Sequence, residues 1–181
     1  MLRRISYLAL FLSLALSFSA CSRSINEPTA PPAATKPNSP AAQTPASSVR
    51  FVKAAASAAQ IPAGGQAEAL VKLTIQNGYH VNANPPTYSY LRPTEVVVQT
   101  GDGVSVGFIT YPNSLTKKFS FAEKPLAVYE GETAIKVMLK AARSAAKGTR
   151  SLSAKVNVQA CDDQVCYAPG TLELSIPVTI K

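Results

Sequence analysis

Short stretches in which apolar and polar residues alternate recur along this 181-residue chain, and they constrain its fold more than any other feature. The clearest ones span residues 67–76 and 152–159, where every second residue is apolar. A period of two residues is typical of strands that bury one face of a sheet. Turn-forming residues separate such stretches at spacings of about eight to twelve residues, without a long amphipathic helix. We therefore expect an all-β fold, a single antiparallel β-sandwich.

Two hairpins are predicted before the C-terminal one. In the first, strands 95–100 and 104–110 flank Gly101-Asp102-Gly103, a turn able to take positive φ. In the second, strands 126–129 and 133–139 flank Glu130-Gly131-Glu132. The other predicted segments are strands at 49–53, 67–76 and 79–82, the last at a sheet edge, an irregular loop at 85–93 and a long polar segment without a strand at 113–125.

The N-terminus has the pattern of an export signal. Arg3 and Arg4 precede an apolar run, residues 5–20, which is short for a membrane span and ends in small residues. This pattern predicts a signal peptide over residues 1–20. The following Cys21 resembles the lipidated cysteine of bacterial lipoproteins, which implies cleavage before it and a lipid on its thiol. The alternative is ordinary secretion with a free Cys21, because Phe18 stands where that motif prefers Leu.

A proline-rich segment follows. Residues 22–48 contain six prolines among Ala, Ser, Thr and Asn, with almost no large apolar side chain. Such a composition cannot bury a core. We expect a lipidated N-terminus and a disordered Pro/Ala-rich tether over residues 21–48, with the folded domain at 49–181.

The chain is basic, with a formal net charge of +8. Without Arg3 and Arg4, 16 basic residues stand against 10 acidic ones, a net charge of +6. This balance favours anionic surfaces. The positive charges are scattered, without a basic run or interleaved aromatic residues, so we do not expect nucleic-acid binding.

Few residues offer catalytic chemistry. The chain has one histidine, His80, and neither a GxSxG motif nor a phosphate-binding glycine loop. A metal site built from Cys161, Cys166, His80 and Asp162 or Asp163 is conceivable, because thiolates and imidazole bind zinc or copper. Export into an oxidising compartment disfavours two free thiolates. We predict no metal and no cofactor.

Cys161 and Cys166 stand between the alternating stretches 152–159 and 172–176, at the mouth of a predicted hairpin. Facing residues there can reach the Cα separation of about 4.4 to 6.8 Å that a disulfide needs. If Cys21 is lipidated, these two are the remaining cysteines of the chain, an even number that can form a disulfide in an oxidising compartment. So short a loop makes a poor structural staple, and an exposed pair is open to attack by a partner's thiolate. The residues alone leave redox chemistry and structural bridging equally open.

Asp162 and Asp163 follow the first cysteine directly. Two carboxylates there should disfavour the Cys161 thiolate and raise its pKa, which would make the pair dependent on specific partners. Alternatively, both aspartates only serve the turn, as Asp often does.

The cysteine segment also resembles a known family, the periplasmic N-terminal domain of the thiol:disulfide interchange protein DsbD, also called the disulfide bond corrector domain. The resemblance rests first on QACDDQVCYAP at residues 159–169. It is supported by NGYHVNANP (77–85), LRPT (91–94), YP (111–112) and VYEG (128–131). Together these segments extend the resemblance over about residues 49–181.

The resemblance implies an immunoglobulin-like sandwich that receives electrons from a membrane reductase by way of a thioredoxin-like domain. It would hand them to thioredoxin-like or isomerase partners through a mixed disulfide. By position in the motif, Cys166 bonds to partners and Cys161 resolves. The family shields its disulfide with an aromatic residue on a cap loop, and Phe119 or Phe121 is the implied counterpart. Both could instead be ordinary core residues.

Two features depart from the family. Its best-known members carry tyrosines near the positions of His80 and Asn82. His80 could tune a thiol across neutral pH, but we expect a satisfied hydrogen-bonding residue at a strand end. We also expect no reductase domain after Lys181, and therefore a module that meets its reducing partner in trans.

We therefore expect a lipid-anchored thiol:disulfide relay domain of the bacterial cell envelope that faces the periplasm, an oxidoreductase-type protein without a bound cofactor. The alternative is a non-catalytic β-sandwich lipoprotein that binds a protein or ligand and keeps a static disulfide. The predicted redox pair is Cys161 and Cys166. The residues expected to cap or shape the site are Phe119, Phe121, His80, Asn82, Asp162, Asp163 and Tyr167.

Overall fold

The structure, a computed structural model, describes residues 47–181. The prediction of an all-β fold is confirmed, because the regular elements there are strands and one short 3-10 turn, Ser48–Arg50. The strands are β1 (Val52–Ala56), β2 (Ala59–Ile61), β3 (Gln66–Ile75), β4 (His80–Asn82), β5 (Glu95–Val98), β6 (Val104–Thr110), β7 (Leu115–Lys117), β8 (Leu126–Tyr129), β9 (Glu132–Ala141), β10 (Gly148–Val158), β11 (Ala160–Cys161) and β12 (Gly170–Ile180).

The N-terminal predictions lie almost entirely outside the described residues. This holds for the signal peptide, for Cys21 and for the tether up to residue 46. The end of the predicted tether belongs to the fold, because Ser48 is buried and its hydroxyl donates to the Ala168 carbonyl at 2.7 Å. No helix within residues 47–181 is long and apolar enough to span a membrane.

The strands form three four-stranded sheets, with the orders β1-β3-β9-β6, β2-β12-β10-β5 and β11-β4-β8-β7. All pairs are antiparallel except β2 with β12, which is parallel. Inward side chains of the first two sheets share one core, as in a β-sandwich. The third sheet contributes Val81, Tyr129 and Ala160 to the same core. The predicted β-sandwich is therefore confirmed, with one parallel pair added.

Alternating burial along the two clearest predicted strands holds this core together. In β3 the side chains of Ala69, Val71 and Leu73 are fully buried while their neighbours face outward. β10 shows the same pattern and pairs with β12 from Gly148 to Val158, so the predicted C-terminal hairpin is confirmed. Each large apolar side chain buried in this way contributes roughly 1.5 to 3 kcal/mol to the stability of the fold.

Both internal hairpins were predicted wrongly. β5 pairs with β10 and β6 with β9, so the chain crosses from one sheet to another between them. Likewise β8 pairs with β4 and β7, whereas β9 pairs with β3 and β6. Asp102 and Gly103 do take positive φ, as expected. A turn fixes only the local change of direction, and the strand partner depends on which apolar face is available to cover it.

Three further segments differ from their predictions. The first strand begins at Val52, because residues 48–50 form the 3-10 turn. β4 is an inner strand between β11 and β8, with all its residues buried, and not an edge. The polar segment 113–125 contains a strand, Leu115–Lys117, which pairs with β8. The loop at 85–93 is irregular, as predicted.

Leu139→Ala should lower the free energy of unfolding by about 2 to 5 kcal/mol, because it empties a fully buried site in β9. The matched control is Leu70→Ala on the neighbouring strand β3, where the side chain is 38% exposed and the loss should be about 1 kcal/mol or less. Urea unfolding of both variants measures the difference. Equal losses would contradict the assignment of the core.

Candidate functional site

The third sheet has two unlike faces, and the cysteines belong to its outer one. Within the loop of residues 159–169, β11 pairs with β4 so that Ala160 faces Val81 and Cys161 faces His80. Directly paired residues of antiparallel strands project to the same side. Ala160 and Val81 lie in the main core. Cys161 and His80 therefore point away from that core, toward a second, smaller apolar cluster on the outer face.

Cys161 and Cys166 form a disulfide, with their Cα atoms 3.9 Å apart. This separation is shorter than the range of about 4.4 to 6.8 Å that is common for disulfides. The two residues differ in accessibility, because Cys161 is fully buried and Cys166 is partly exposed. An incoming thiolate therefore finds Cys166 more accessible than Cys161.

Asp162 organises the turn between the cysteines. Its Oδ1 accepts hydrogen bonds from the N–H groups of Gln164 and Val165, both at 2.8 Å. Its Oδ2 accepts from the Tyr167 hydroxyl at 2.6 Å. The bond from Tyr167, and then the two N–H groups, lower the pKa of Asp162, and the same bond raises the pKa of Tyr167 to about 12. These contacts support the turn role for Asp162.

Asp163 has a different position, because it joins the cysteine loop to residues 117–122. Its carboxylate lies 3.6 Å from the Lys117 ammonium group, and its carbonyl accepts from the Ser120 hydroxyl at 3.3 Å. Lys117 also pairs with Glu130 at 2.9 Å. These contacts fasten part of the polar segment 113–125 beside the cysteine loop.

Phe119 and Phe121 occupy different environments in that segment. Phe119 is buried with Leu126 and Val128 in the small cluster, and its ring stacks on His80 with the centroids 4.1 Å apart. Phe121 stacks on Phe119 at 5.3 Å and is 42% exposed. Phe119 is therefore a core residue of the outer face, and Phe121 presents an aromatic surface to solvent.

An open groove of about 390 Å³ lies beside the partly exposed cysteine. Most of the side chains along it are apolar, which is typical of surfaces that bind another molecule. Several of them, including Tyr90 and Val165, were not predicted from the sequence. The groove is lined by Tyr90, Leu91, Phe121, Ala122, Leu126, Gln159, Gln164, Val165 and Cys166.

His80 is fully buried, and neither of its ring nitrogens has a hydrogen-bond partner among residues 47–181. The expectation of a satisfied hydrogen-bonding residue is therefore wrong. The reason is that β8 and β11 flank β4, and Phe119 covers the ring with an apolar surface. Burial, and then the charge of Lys117, lower the pKa of His80 to about 4. The ring is thus neutral at pH 7 in the disulfide form, rather than titrating near neutrality.

Asn82 connects the irregular loop of residues 85–93 to the start of the cysteine loop, residues 159–169. Its Nδ2 donates to the Arg92 carbonyl at 3.1 Å and to Gln159 Oε1 at 3.2 Å. Its carbonyl accepts from the Thr94 hydroxyl at 2.7 Å. Asn82 therefore shapes the site by holding these loops together.

A second aromatic group lies on the other side of the cysteine loop and was not predicted. Phe51 stacks on Tyr79 with the centroids 4.0 Å apart and contacts the Tyr167 ring at 4.6 Å. No local pattern marks these three residues as a group, because they are far apart along the chain. In the part of the chain that the structure describes, no three His, Cys, Asp or Glu residues are grouped so that they could hold a metal ion.

Comparison with known proteins gives one family match. Residues 48–176 match the family described as thiol:disulfide interchange protein DsbD, N-terminal. No curated protein matches the chain.

Several solved structures are similar to the chain. One is the N-terminal periplasmic domain of ScsB from Proteus mirabilis, with 16% identity and a TM-score of 0.45 over 68% of this chain and 44% of that one. A family 123 glycoside hydrolase from Clostridium perfringens has 11% identity and a TM-score of 0.30 over 71% and 27%. BcpA, the major pilin subunit of Bacillus cereus, has 13% identity and a TM-score of 0.33 over 72% and 40%. The chain spans less than half of each of these solved chains.

Asp162→Asn should bring the pKa of Tyr167 down from about 12 toward about 10, the value of a free tyrosine. Because the folded-state pKa is raised, the bond stabilises the loop at pH values below about 10 and is lost as the pH rises through about 12. Tyrosinate absorbance followed during an alkaline titration measures the shift. Burial also raises the pKa of Tyr129, so one late-titrating tyrosine remains in every variant. Tyr167→Phe is the control, because it should remove the contribution of Tyr167. An Asp162→Asn titration with as many late-titrating tyrosines as the unmodified protein would contradict the assignment.

Proposed function

We propose that this chain, which belongs to the family of DsbD N-terminal domains, relays reducing equivalents in the cell envelope through its Cys161–Cys166 disulfide. Family membership together with this disulfide makes it a thiol:disulfide exchange domain. The relay would run between a membrane or thioredoxin-like reductase and periplasmic partner proteins. The observation that carries the proposal is the unequal exposure of the two cysteines, since it makes one of them available to a partner and keeps the other for resolution.

The exchange follows from this asymmetry. A thiolate of the reduced partner attacks Cys166 Sγ, the Cys166–Cys161 bond breaks, and Cys161 leaves as a thiolate that takes up a proton. The partner's second thiolate then attacks the partner's first sulfur, which is bonded to Cys166 in the mixed disulfide. This step releases Cys166 as a thiolate. The partner is oxidised and this domain is reduced by two electrons. Delivery to an oxidised partner is the same sequence in reverse, with Cys161 resolving.

Partner docking is best supported at the groove beside Cys166. Tyr90, Phe121 and Val165 are exposed apolar residues there, and they are 75%, 42% and 51% exposed. An apolar surface next to a reactive sulfur can hold a partner while the sulfurs align. Thioredoxin-like proteins are the partners that we propose.

We also propose that residues 117–122 shield the disulfide, with Phe121 as the outermost aromatic residue. Contacts of Lys117 and Ser120 with Asp163 hold this segment against the cysteine loop. Phe121 lines the same groove as Cys166. Shielding would limit attack by small thiols and leave exchange to partners that displace the segment.

The cellular setting that we propose follows from the N-terminus. A signal peptide over residues 1–20 and a lipid on Cys21 would anchor the protein in the cell envelope, facing the periplasm. The tether would let the domain reach a reductase and its partners in trans.

Cys161→Ser should accumulate mixed disulfides with thioredoxin-like proteins, because Cys166 remains accessible and the resolving thiol is missing. Cys166→Ser is the matched control and should trap few partners, since Cys161 is buried. Non-reducing gels and mass spectrometry of the captured species measure the difference. Equal trapping by both variants would contradict the assigned roles. A folded Cys161→Ser protein that traps nothing would favour the static lipoprotein.

Phe121→Ala should increase the rate at which dithiothreitol reduces the disulfide several-fold, because it removes an aromatic side chain from the groove beside Cys166. Phe108→Ala is a matched control, since Phe108 is also exposed but lies on β6 of another sheet. Stopped-flow measurement of thiol release compares the two variants with the unmodified protein. An unchanged rate in Phe121→Ala would remove the shielding role and leave the relay itself untouched.

A further inference from the structure

The buried His80 ring has no function in the exchange described above. It lies opposite Cys161 in the β4–β11 pair, and both side chains project to the outer face. Cβ atoms of such paired residues are about 4.5 to 5.5 Å apart, so the two side chains are neighbours on that face. The structure therefore places the one imidazole of the chain beside the buried cysteine of the redox pair.

In the disulfide form this imidazole is unfavourably placed. Both ring nitrogens are buried, and neither has a hydrogen-bond partner within the described residues. Buried polar groups in folded proteins are almost always hydrogen-bonded, and an exception calls for an explanation. A disulfide sulfur carries no hydrogen to donate, so oxidised Cys161 cannot relieve the acceptor nitrogen of a neutral ring.

Reduction changes this situation, because Cys161 then carries an S–H group. We propose that His80 accepts a hydrogen bond from the Cys161 thiol in the reduced protein and so acts as a positioning residue of the redox pair. The inference rests on the proposed function, since it concerns the state in which the domain carries electrons. It implies that the protein with His80 stabilises the reduced form relative to the disulfide form. A protein with an apolar residue at position 80 would do so less.

The charges around the ring are compatible with this role. Lys117 on β7 carries a positive charge that disfavours a charged imidazole, whereas Glu130 after β8 and Asp162 and Asp163 of the cysteine loop favour one. Burial lowers the pKa of the ring most and Lys117 adds to it, so the ring is neutral at pH 7 in the disulfide form. A neutral ring keeps one nitrogen free as an acceptor, which a protonated ring would not have.

The His80 ring stays neutral in the resolving step. With Cys166 bonded to a partner, the Cys161 sulfur supplies the electron pair for the new bond to Cys166 Sγ. The bond between Cys166 and the partner breaks, and the partner's sulfur leaves as a thiolate. The Cys161 proton goes to that thiolate or to water, and the ring only holds the S–H group in place until the proton leaves.

The test is the thiol–disulfide equilibrium of the full mature chain with dithiothreitol. His80→Phe keeps an aromatic ring on Phe119 but cannot accept a hydrogen bond, so the equilibrium constant should shift about tenfold toward the disulfide, which corresponds to about 30 mV. His80→Gln retains an acceptor oxygen and should stay within about twofold of the unmodified protein. A purely structural role would weaken both redox forms alike and leave the constant unchanged.

Nitrogen NMR of the unmodified protein gives a second readout that needs no substitution, because the chain has a single imidazole. The acceptor nitrogen of His80 should shift between the oxidised and the reduced form. Identical imidazole spectra in the two forms, or an unchanged equilibrium constant in His80→Phe, would overturn the inference. Neither measurement uses a protein partner, so a failure here is distinguishable from a failure of the relay, which the trapping experiment reports.

Discussion

The short pairing of β11 with β4 is the constraint on which the site depends. It inserts Ala160 into the main core and turns Cys161 to the outer face, opposite His80. Two more bonds hold it, since the Ala160 N–H donates to the Ser48 hydroxyl and its carbonyl accepts from the Tyr167 N–H, each at 2.8 Å. One cysteine is thereby fixed and buried, and the turn carries the other to the surface.

Much of the fold could be predicted from the sequence, because burial of one sheet face leaves a period of two residues in the chain. β3 and β10 were recognised in this way, and so was the hairpin that carries the cysteines. The partners of the strands on either side of the two internal turns could not be recognised. The turns at 101–103 and 130–132 have the composition of hairpin turns, yet each carries the chain between sheets. Which strands pair depends on apolar faces that are far apart in the sequence. The residues of a turn carry no information about those faces.

The candidate site, like the fold, could be predicted from the sequence only in part. Spacing and composition identified the cysteine pair, because those signals are local, and the resemblance to the family pointed to Phe119 and Phe121 beside it. The environment of His80 could not be predicted, since it depends on β8, on β11 and on Phe119 arriving from elsewhere in the chain. The groove was missed for a related reason. Tyr90 and Val165 lie in irregular loops, where no periodicity marks an apolar residue as part of a surface.

Lys117 shows how the outer face differs from the core in its response to the surroundings. Its ammonium group lies 2.9 Å from Glu130 and 3.6 Å from Asp163, and its side chain is 40% exposed. Contacts between exposed charges weaken as salt rises, with a screening length of about 8 Å at physiological ionic strength. The packing of the apolar core does not rest on attraction between charges, so it is not screened in this way. Rising salt therefore weakens the attachment of residues 117–122 to the cysteine loop more than it weakens the packing of the sandwich.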